Sequence, residues 1–396
     1  MHLKVSRELF NENIIKINIW WAFFAPIVLA AILSFANVRG LFILKDLVFY
    51  SSLLLVFFIG RSKGFIFYIF RILVFIIYLF LTTSLFFELH SWIIYNLRQL
   101  IVPILIIGFG YYIKIEEQSR LASIVRFLYK TSIWVVFLGI VFRVIDMWSF
   151  LDLTNYFNLK GIPVDKRGLS YMFYEPALSY TERMVSTVLD PISLGHMLAA
   201  PLILCYYSVY VEGKKRKRIL IILAIGLILT FSKGAILQVI LALFFFNKKL
   251  SPTTRFLIPS IFVAMALFTL NIEGILIHLF GLKNAIVYLN LFGHGLGMVG
   301  NYAKMFADDL SVYYKFEISD TFIGSVIGQI GLIGFAFWIS FFLPKIRSII
   351  LSRRNHVGAI VLTSQLIIAA ISENTFNFTS FIVPGIISGI LIKNQI

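Results

Sequence analysis

The feature that most constrains this chain is the length of its apolar runs. Windows near residues 17–36, 41–60, 65–87, 92–113, 124–145, 190–211, 219–231, 233–246, 256–272, 322–343, 357–371 and 376–392 carry few or no charges. About 20 apolar residues in a helix cross one hydrocarbon core, so runs of this kind belong in a bilayer. The overall balance agrees, with 60% of the 396 residues hydrophobic and only 14% charged. A soluble domain carries about 25% charged residues. The spacing predicts an all-α integral membrane protein of about twelve transmembrane helices, a single polytopic domain over residues 1–396. The run Ile219–Phe246 reads as two helices meeting at Ser232-Lys233-Gly234, because basic residues close both of its ends.

Charge placement tests that count. With twelve crossings and both termini cytoplasmic, well over half of the 35 Lys and Arg residues fall in cytoplasmic segments, and the short outer loops hold almost none. This is the asymmetry that the positive-inside rule describes. It also accounts for Lys214–Arg218, a run that superficially suits nucleic acid but here anchors topology, so no nucleic-acid partner is expected. Ser34-Phe35-Ala36 is a weak small-x-small signal, yet the first apolar run exceeds a signal-peptide core and its leading segment carries Glu8 and Glu12. It reads as a retained span.

Two loops are too long to be plain connections. Residues 146–189 and 273–320 both fall on the outer side, and both are aromatic-rich, with Trp148, Phe157, Phe173, Tyr174, Tyr288, Phe292, Tyr302, Tyr313 and Tyr314 among them. That composition predicts packed structure, or surfaces that stack on sugar rings. The single cysteine, Cys205, excludes intrachain disulfides and cysteine-based metal clusters. Gly295-Leu-Gly297-Met-Val-Gly300 matches a dinucleotide fingerprint by spacing only, since it lacks the βαβ context that gives the pattern meaning. No metal site and no cofactor are expected.

The chemistry is then left to charges near the outer ends of spans. A basic side chain at span depth is costly enough to be a functional candidate by default. Arg71, Arg98, Arg183 and Lys233 are such residues. A helix starting at Gly234 would aim backbone N–H groups outward and attract an anion, so Arg183 and Lys233 together suit a diphosphate. Gly293-His294-Gly295-Leu296-Gly297 permits close backbone approach around His294. Asp320-Thr321 opens a later span, where Asp320 is either an acid–base group or a helix cap. Gly328, Gly331 and Gly334 read as a helix-packing stripe, and Lys166-Arg167 as a solvated pair.

Arg183-x-x-Ser-Thr-x-x-Asp190-Pro191-x-x-x-Gly195, then Leu-Thr-Phe-Ser-Lys233-Gly-Ala, then Gly-x-Gly-x-Gly, then Asp320-Thr followed by Gly331-Leu-Ile-Gly334, run in this order through the second half of the chain. The ordered set resembles the O-antigen polymerase and ligase superfamily. The resemblance implies a GT-C-like bundle with two long extracytoplasmic loops in the bacterial cytoplasmic (inner) membrane. It implies a glycosyltransferase that uses undecaprenyl-diphosphate-linked oligosaccharides at the outer face by inverting, metal-independent displacement. The family's outer Arg matches Arg183, and its Ser-Arg-Gly matches Ser232-Lys233-Gly234, where Lys keeps the charge but loses the bidentate fork. The ligase branch has His-Asn where this chain has Asp320-Thr321, which favours a repeat-unit polymerase of O-antigen or capsule.

The implied site has Arg183 and Lys233 stabilising the leaving diphosphate, with Asp320 or His294 as general base. Glu175 and Arg98 join as substrate-binding candidates. Implied partners are the lipid-linked oligosaccharide, membrane lipid, a chain-length regulator and a flippase. The rival functions are an O-antigen ligase, or a lipid-linked oligosaccharide flippase or other transporter. Transporters of that kind usually show internal repeats and midplane charges, and neither is clear here.

Overall fold

The computed structural model describes residues 2–35, 44–60, 63–86, 93–151, 153–247, 250–251, 253–255, 257, 260, 272–301, 316–351 and 356–396. The expected window at 256–272 lies almost wholly outside these residues, as do Arg61, Glu88, Lys248, Lys249, Tyr302, Tyr313, Tyr314, Arg353 and Arg354. The chain is mostly helix: α1 His2–Phe35, α2 Leu44–Gly60, α3 Lys63–Phe86, α4 Ile93–Tyr112 and α5 Gln118–Val144 come first. After a hairpin of β1 Tyr174–Glu175 and β2 Thr181–Glu182 follow α6 Pro191–Tyr206, α7 Gly213–Leu229 and α8 Lys233–Ile240, which runs on as a π turn over Leu241–Phe245. The last are α9 Ile272–Val287, α10 Phe322–Ile339, α11 Leu343–Leu351, α12 Val357–Ile368 and α13 Phe378–Lys393.

Five of the described helices are long and apolar enough to cross a membrane: Ser6–Ser34, Lys63–Ser84, Ile93–Tyr112, Gln118–Val144 and Phe322–Ile339. Four others are apolar but shorter, over Pro191–Tyr206, Lys233–Phe244, Val357–Ile368 and Phe378–Lys393. Helix α3 shows why such segments need lipid. Phe65, Tyr68, Ile72, Phe75 and Leu79 are buried on one face, while Phe67, Phe70, Leu73, Ile77 and Leu81 are exposed on the other. A helix that is apolar all round has no aqueous face to offer. The protein is a helical membrane protein.

Two compact units divide the chain. The first comprises Met1–Gly60, Ile113–Val239 and Ile382–Pro384. In it α1 packs on α2 and α5, and α7 packs on α5 and α6. Helix α5 presents Leu121, Val125, Leu128, Ser132, Val135 and Gly139 inward at helical spacing. Glu12 of α1 is answered by Lys16 at 2.6 Å and by Arg120 of α5 at 3.2 Å. Asp190-Pro191 starts α6 as that dipeptide should, with the Asp190 side chain accepting the Ile192 N–H and Pro191 in the first turn. The break expected near Ser232 is present, because Phe231 adopts φ +48° and separates α7 from α8. The first long loop is packed, as its aromatics predict: Trp148, Phe157 and Phe173 meet edge to face, buried with Tyr156, Leu169 and Val185 against Leu29 and Leu33 of α1.

The second unit comprises Arg61–Tyr112, Ile240–Phe381 and Gly385–Ile396. Its organising feature is a discontinuity in α10 at Gly331 (φ +65°, ψ −171°). In an unbroken helix the Leu332 and Ile333 N–H groups would bond to the Gly328 and Gln329 carbonyls. Here those N–H groups bond to the carbonyls of Asn290 (3.0 Å) and Leu291 (3.1 Å). The freed Gly328 and Gln329 carbonyls accept from the N–H groups of His294 (2.8 Å) and Gly295 (3.0 Å). The Tyr78 hydroxyl donates to the Ile330 carbonyl at 3.2 Å. The glycine-rich segment is thus a backbone splint, with Gly293, Gly295 and Gly297 all left-handed at φ +84°, +91° and +83°. The reading of Gly331 as a helix-packing position is corrected: it is the break itself.

A methyl group at Gly331 would lie 2.3 Å from the Gly293 nitrogen, on a left-handed backbone. Gly161 shares the left-handed backbone (φ +70°) but has open space around it. Gly331→Ala should therefore lower the thermal unfolding midpoint of the detergent-solubilised protein more than Gly161→Ala. The latter should cost only the strain term of about 1–2 kcal/mol. Equal midpoints would show that the splint is not tight.

Candidate functional sites

In the first unit, Arg183 leaves β2 and its N–H bonds to the Phe173 carbonyl at 2.7 Å. Arg183 is buried, 9% exposed as a residue. Its Nε donates to the Thr230 carbonyl at 2.9 Å and its Nη2 to the Phe231 carbonyl at 3.3 Å. These carbonyls sit at the C-terminal end of α7, where the backbone turns out of the helix and a cation is favoured by the dipole. Burial pulls the Arg183 pKa below the ordinary arginine value, and the charges of Glu175 and Asp190 oppose that shift. The adjacent acid Glu182 is not its partner, since Glu182 lies 3.7 Å from Arg167. Arg167, expected as a solvated residue, also pairs with Asp146 at 2.7 Å.

Lys233 opens α8, with the first helical bond from the Ile236 N–H to the Ser232 carbonyl at 2.9 Å. Its ammonium, half-exposed, lies 3.0 Å from the buried Glu175 carboxylate of β1. Gly195 of α6 is held so close that a methyl group there would fall 2.5 Å from the Ser232 Cβ. The motifs carrying Arg183, Gly195 and Ser232-Lys233-Gly234 therefore converge on the α7–α8 break, and Glu175 is the counter-ion of the arrangement. Three buried polar residues sit nearby in α6 and α8: His196 Nδ1 meets the Gln238 side-chain oxygen at 2.8 Å, and Ser193 bonds to Asp190, the cap of α6.

The second unit carries the acids. Asp320 is left-handed at φ +58°, and its carboxylate accepts from Asn301 Nδ2 at 3.0 Å and from the Ser319 hydroxyl at 3.2 Å. It is not the cap of α10. That role belongs to Thr321, whose hydroxyl accepts the Gly324 N–H at 3.2 Å and donates to the Ala370 carbonyl at 2.7 Å. His294 stacks on Phe316 at 3.9 Å between centroids. Its Nε2 faces the Tyr288 carbonyl at 3.0 Å, which requires a proton on that nitrogen and leaves Nδ1 toward the Asn290 amide at 3.5 Å. Arg98 lies over the Phe378 ring at 5.9 Å. Arg71 likewise covers Phe341 at 4.8 Å and donates to the Ser340 hydroxyl at 2.8 Å.

One residue absent from the sequence-derived candidates joins Asp320. Glu373, in the short turn between α12 and α13, is buried. Both of its oxygens accept the Asn301 N–H, at 3.1 and 3.2 Å, and Gln99 donates to it at 3.3 Å. Asn301 thus holds Glu373 with its backbone and Asp320 with its side chain. Burial pushes the Glu373 pKa up to about 7, with Asp320 adding to the rise and the bonds from Gln99 and Asn301 opposing it. Such a group can take or give a proton at neutral pH. The signal that could have found it is a lone acid between two apolar stretches, 357–371 and 376–392.

Compared with protein-family models and with curated proteins, the chain gives no match to either.

Because the folded state holds the Glu373 proton more tightly than an unfolded chain does, stability from this group is greatest below the ordinary glutamate pKa. It is lost as pH rises toward about 7. Glu373→Gln should remove that loss. Variant and wild type should unfold at similar temperatures at pH 5, and the variant should be the more stable at pH 8, by an amount on the order of a few kcal/mol. Parallel pH profiles would show that Glu373 is ionised throughout.

Proposed function

We propose that this protein is a membrane glycosyltransferase that polymerises undecaprenyl-diphosphate-linked oligosaccharide repeat units at the outer face of the bacterial cytoplasmic membrane. The observation that carries the reading is the convergence of Arg183, Gly195 and Ser232-Lys233-Gly234 at the α7–α8 break. These are the first motifs of the ordered set that resembles the O-antigen polymerases and ligases.

In the proposed reaction the anomeric carbon–oxygen bond to the lipid diphosphate breaks, and the diphosphate leaves with the electron pair. The acceptor hydroxyl oxygen forms the new bond and its proton passes to a base. Lys233 is half-exposed at a helix N-terminus and can meet the leaving anion by exchanging Glu175 for it. A guanidinium has five N–H donors, and Arg183 engages two nitrogens with carbonyls, so it adds field and keeps donors for phosphate oxygens. Asp320 is the proposed general base, supported by its half-buried position and its tie through Asn301 to a second acid. His294 is the weaker candidate, because its Nε2 proton is already directed at a carbonyl.

Surface glycans from a strain lacking the gene, complemented with variants, test the reading on a gel. The null strain should show single repeat units without a ladder. Arg183→Ala and Lys233→Ala should fail to restore the ladder at normal protein level, Lys233→Arg should restore it, and Asp320→Asn should be severely impaired. Polymer made but retained on its lipid carrier would make the protein a ligase. Lipid-linked single units that never reach the surface would make it a flippase.

A further inference from the structure

The basic run 214–218 does not act as one block. Arg216 turns inward, its Nε donating to the Cys205 carbonyl at 3.1 Å and its Nη2 to that of Tyr206, which caps the end of α6. Lys215 and Arg218 turn the other way, onto a face of α7 continued by Ile219 and Ile222 at helical spacing. Opposite them α5 presents Arg126, Lys130, Ile133 and Trp134, again one helical face. Between the two helices is a groove of about 420 Å³, lined also by Tyr129 and Tyr210. Tyr129 is fixed by its hydroxyl on the Val209 carbonyl at 2.8 Å, and Tyr210 by its hydroxyl on Gln118.

The groove is sorted along its length. Four cations stand at one end, and no carboxylate lines it; among the described residues none of the four has an acidic partner. Lys215 and Arg218 also lie in the first turns of α7, where the helix dipole favours negative charge and the Glu212 side chain makes no cap bond. At the other end Trp134 is half-exposed and continues into an exposed apolar stripe of Phe137 and Ile140 on α5, with Ile221, Ile225 and Ile228 exposed on α7. Charge at one end and lipid-facing surface at the other match an amphiphile whose head is anionic. A free anion would have no use for the apolar wall.

We propose that this groove is a binding site for an anionic phospholipid, its phosphate held among Arg126, Lys130, Lys215 and Arg218 and its acyl chain lying against Trp134 and Ile222. The site is independent of the glycan-polymerising reading, and lies on the side of the membrane where basic residues gather. Lipid phosphates are attracted to such juxtamembrane clusters severalfold per basic residue.

The full chain in detergent micelles can be titrated with phosphatidylglycerol or phosphatidylcholine carrying brominated acyl chains. The Trp134 contribution to quenching is the difference between wild type and Trp134→Phe. Phosphatidylglycerol should quench Trp134 at concentrations about ten-fold lower than phosphatidylcholine does. The double variant Lys215→Gln/Arg218→Gln, and separately Arg126→Gln on the facing helix, should erase that preference. Lys214→Gln/Lys217→Gln removes the same charge from the same run outside the groove and should leave the preference intact. Equal quenching by the two lipids would overturn the proposal. So would equal loss in both double variants, which would mean diffuse surface charge. Displacement of the lipid by inorganic phosphate at matched ionic strength would also overturn it, by making the ligand a soluble anion.

Discussion

A backbone N–H or carbonyl without a partner costs several kcal/mol in hydrocarbon, so a helix can break inside a membrane protein only where something else completes its bonding. That constraint organises the second unit. The interruption at Gly331 frees two carbonyls and two N–H groups, and the segment 290–295 takes all four. The Leu296 N–H then reaches the Thr83 hydroxyl at 3.2 Å and the Gly297 N–H the Gln329 side-chain oxygen at 3.1 Å. Gly300 bonds to the Ile318 carbonyl, and Asn301 comes next in the chain, where it meets both acids. The splint turns left-handed at alternate positions, a backbone that glycine adopts without strain, and three glycines alternate there.

The first unit meets the same constraint at the α7–α8 break by a different device. There the exposed carbonyls of Thr230 and Phe231 take a side-chain donor, Arg183, instead of backbone. A guanidinium is well suited to this, since it stays charged when buried and offers several donors in one plane. The arginine that the sequence singles out for an anion is also part of the structure that shapes the break.

Much of this was legible in the sequence for identifiable reasons. The membrane class followed from apolar length, the α7–α8 break from an over-long run with basic ends, and the packed first loop from aromatic density. The convergence of Arg183 with Lys233 was anticipated through their charges at outer span ends and through motif order, because no local rule brings residues fifty positions apart together. On paper Asp320 read as either an acid–base group or the cap of its helix. The backbone excludes the cap, since a residue at φ +58° cannot take the extended conformation a cap needs, and Thr321 fills that role. Glu373 escaped because single-sequence patterns weigh neighbours along the chain, and its partners Gln99, Asn301 and Asp320 come from distant segments. The Gly331 break escaped because a glycine inside an apolar run reads equally as close packing.

The bridging position of Asn301 has a chemical consequence. One planar amide side chain and the N–H of the same residue hold two carboxyl groups in a fixed relation, so any movement of Asn301 shifts both acids together. The negative charge of Asp320 is one reason why the Glu373 carboxyl keeps its proton. A neutral amide in place of Asp320 would take that reason away and leave burial as the main one.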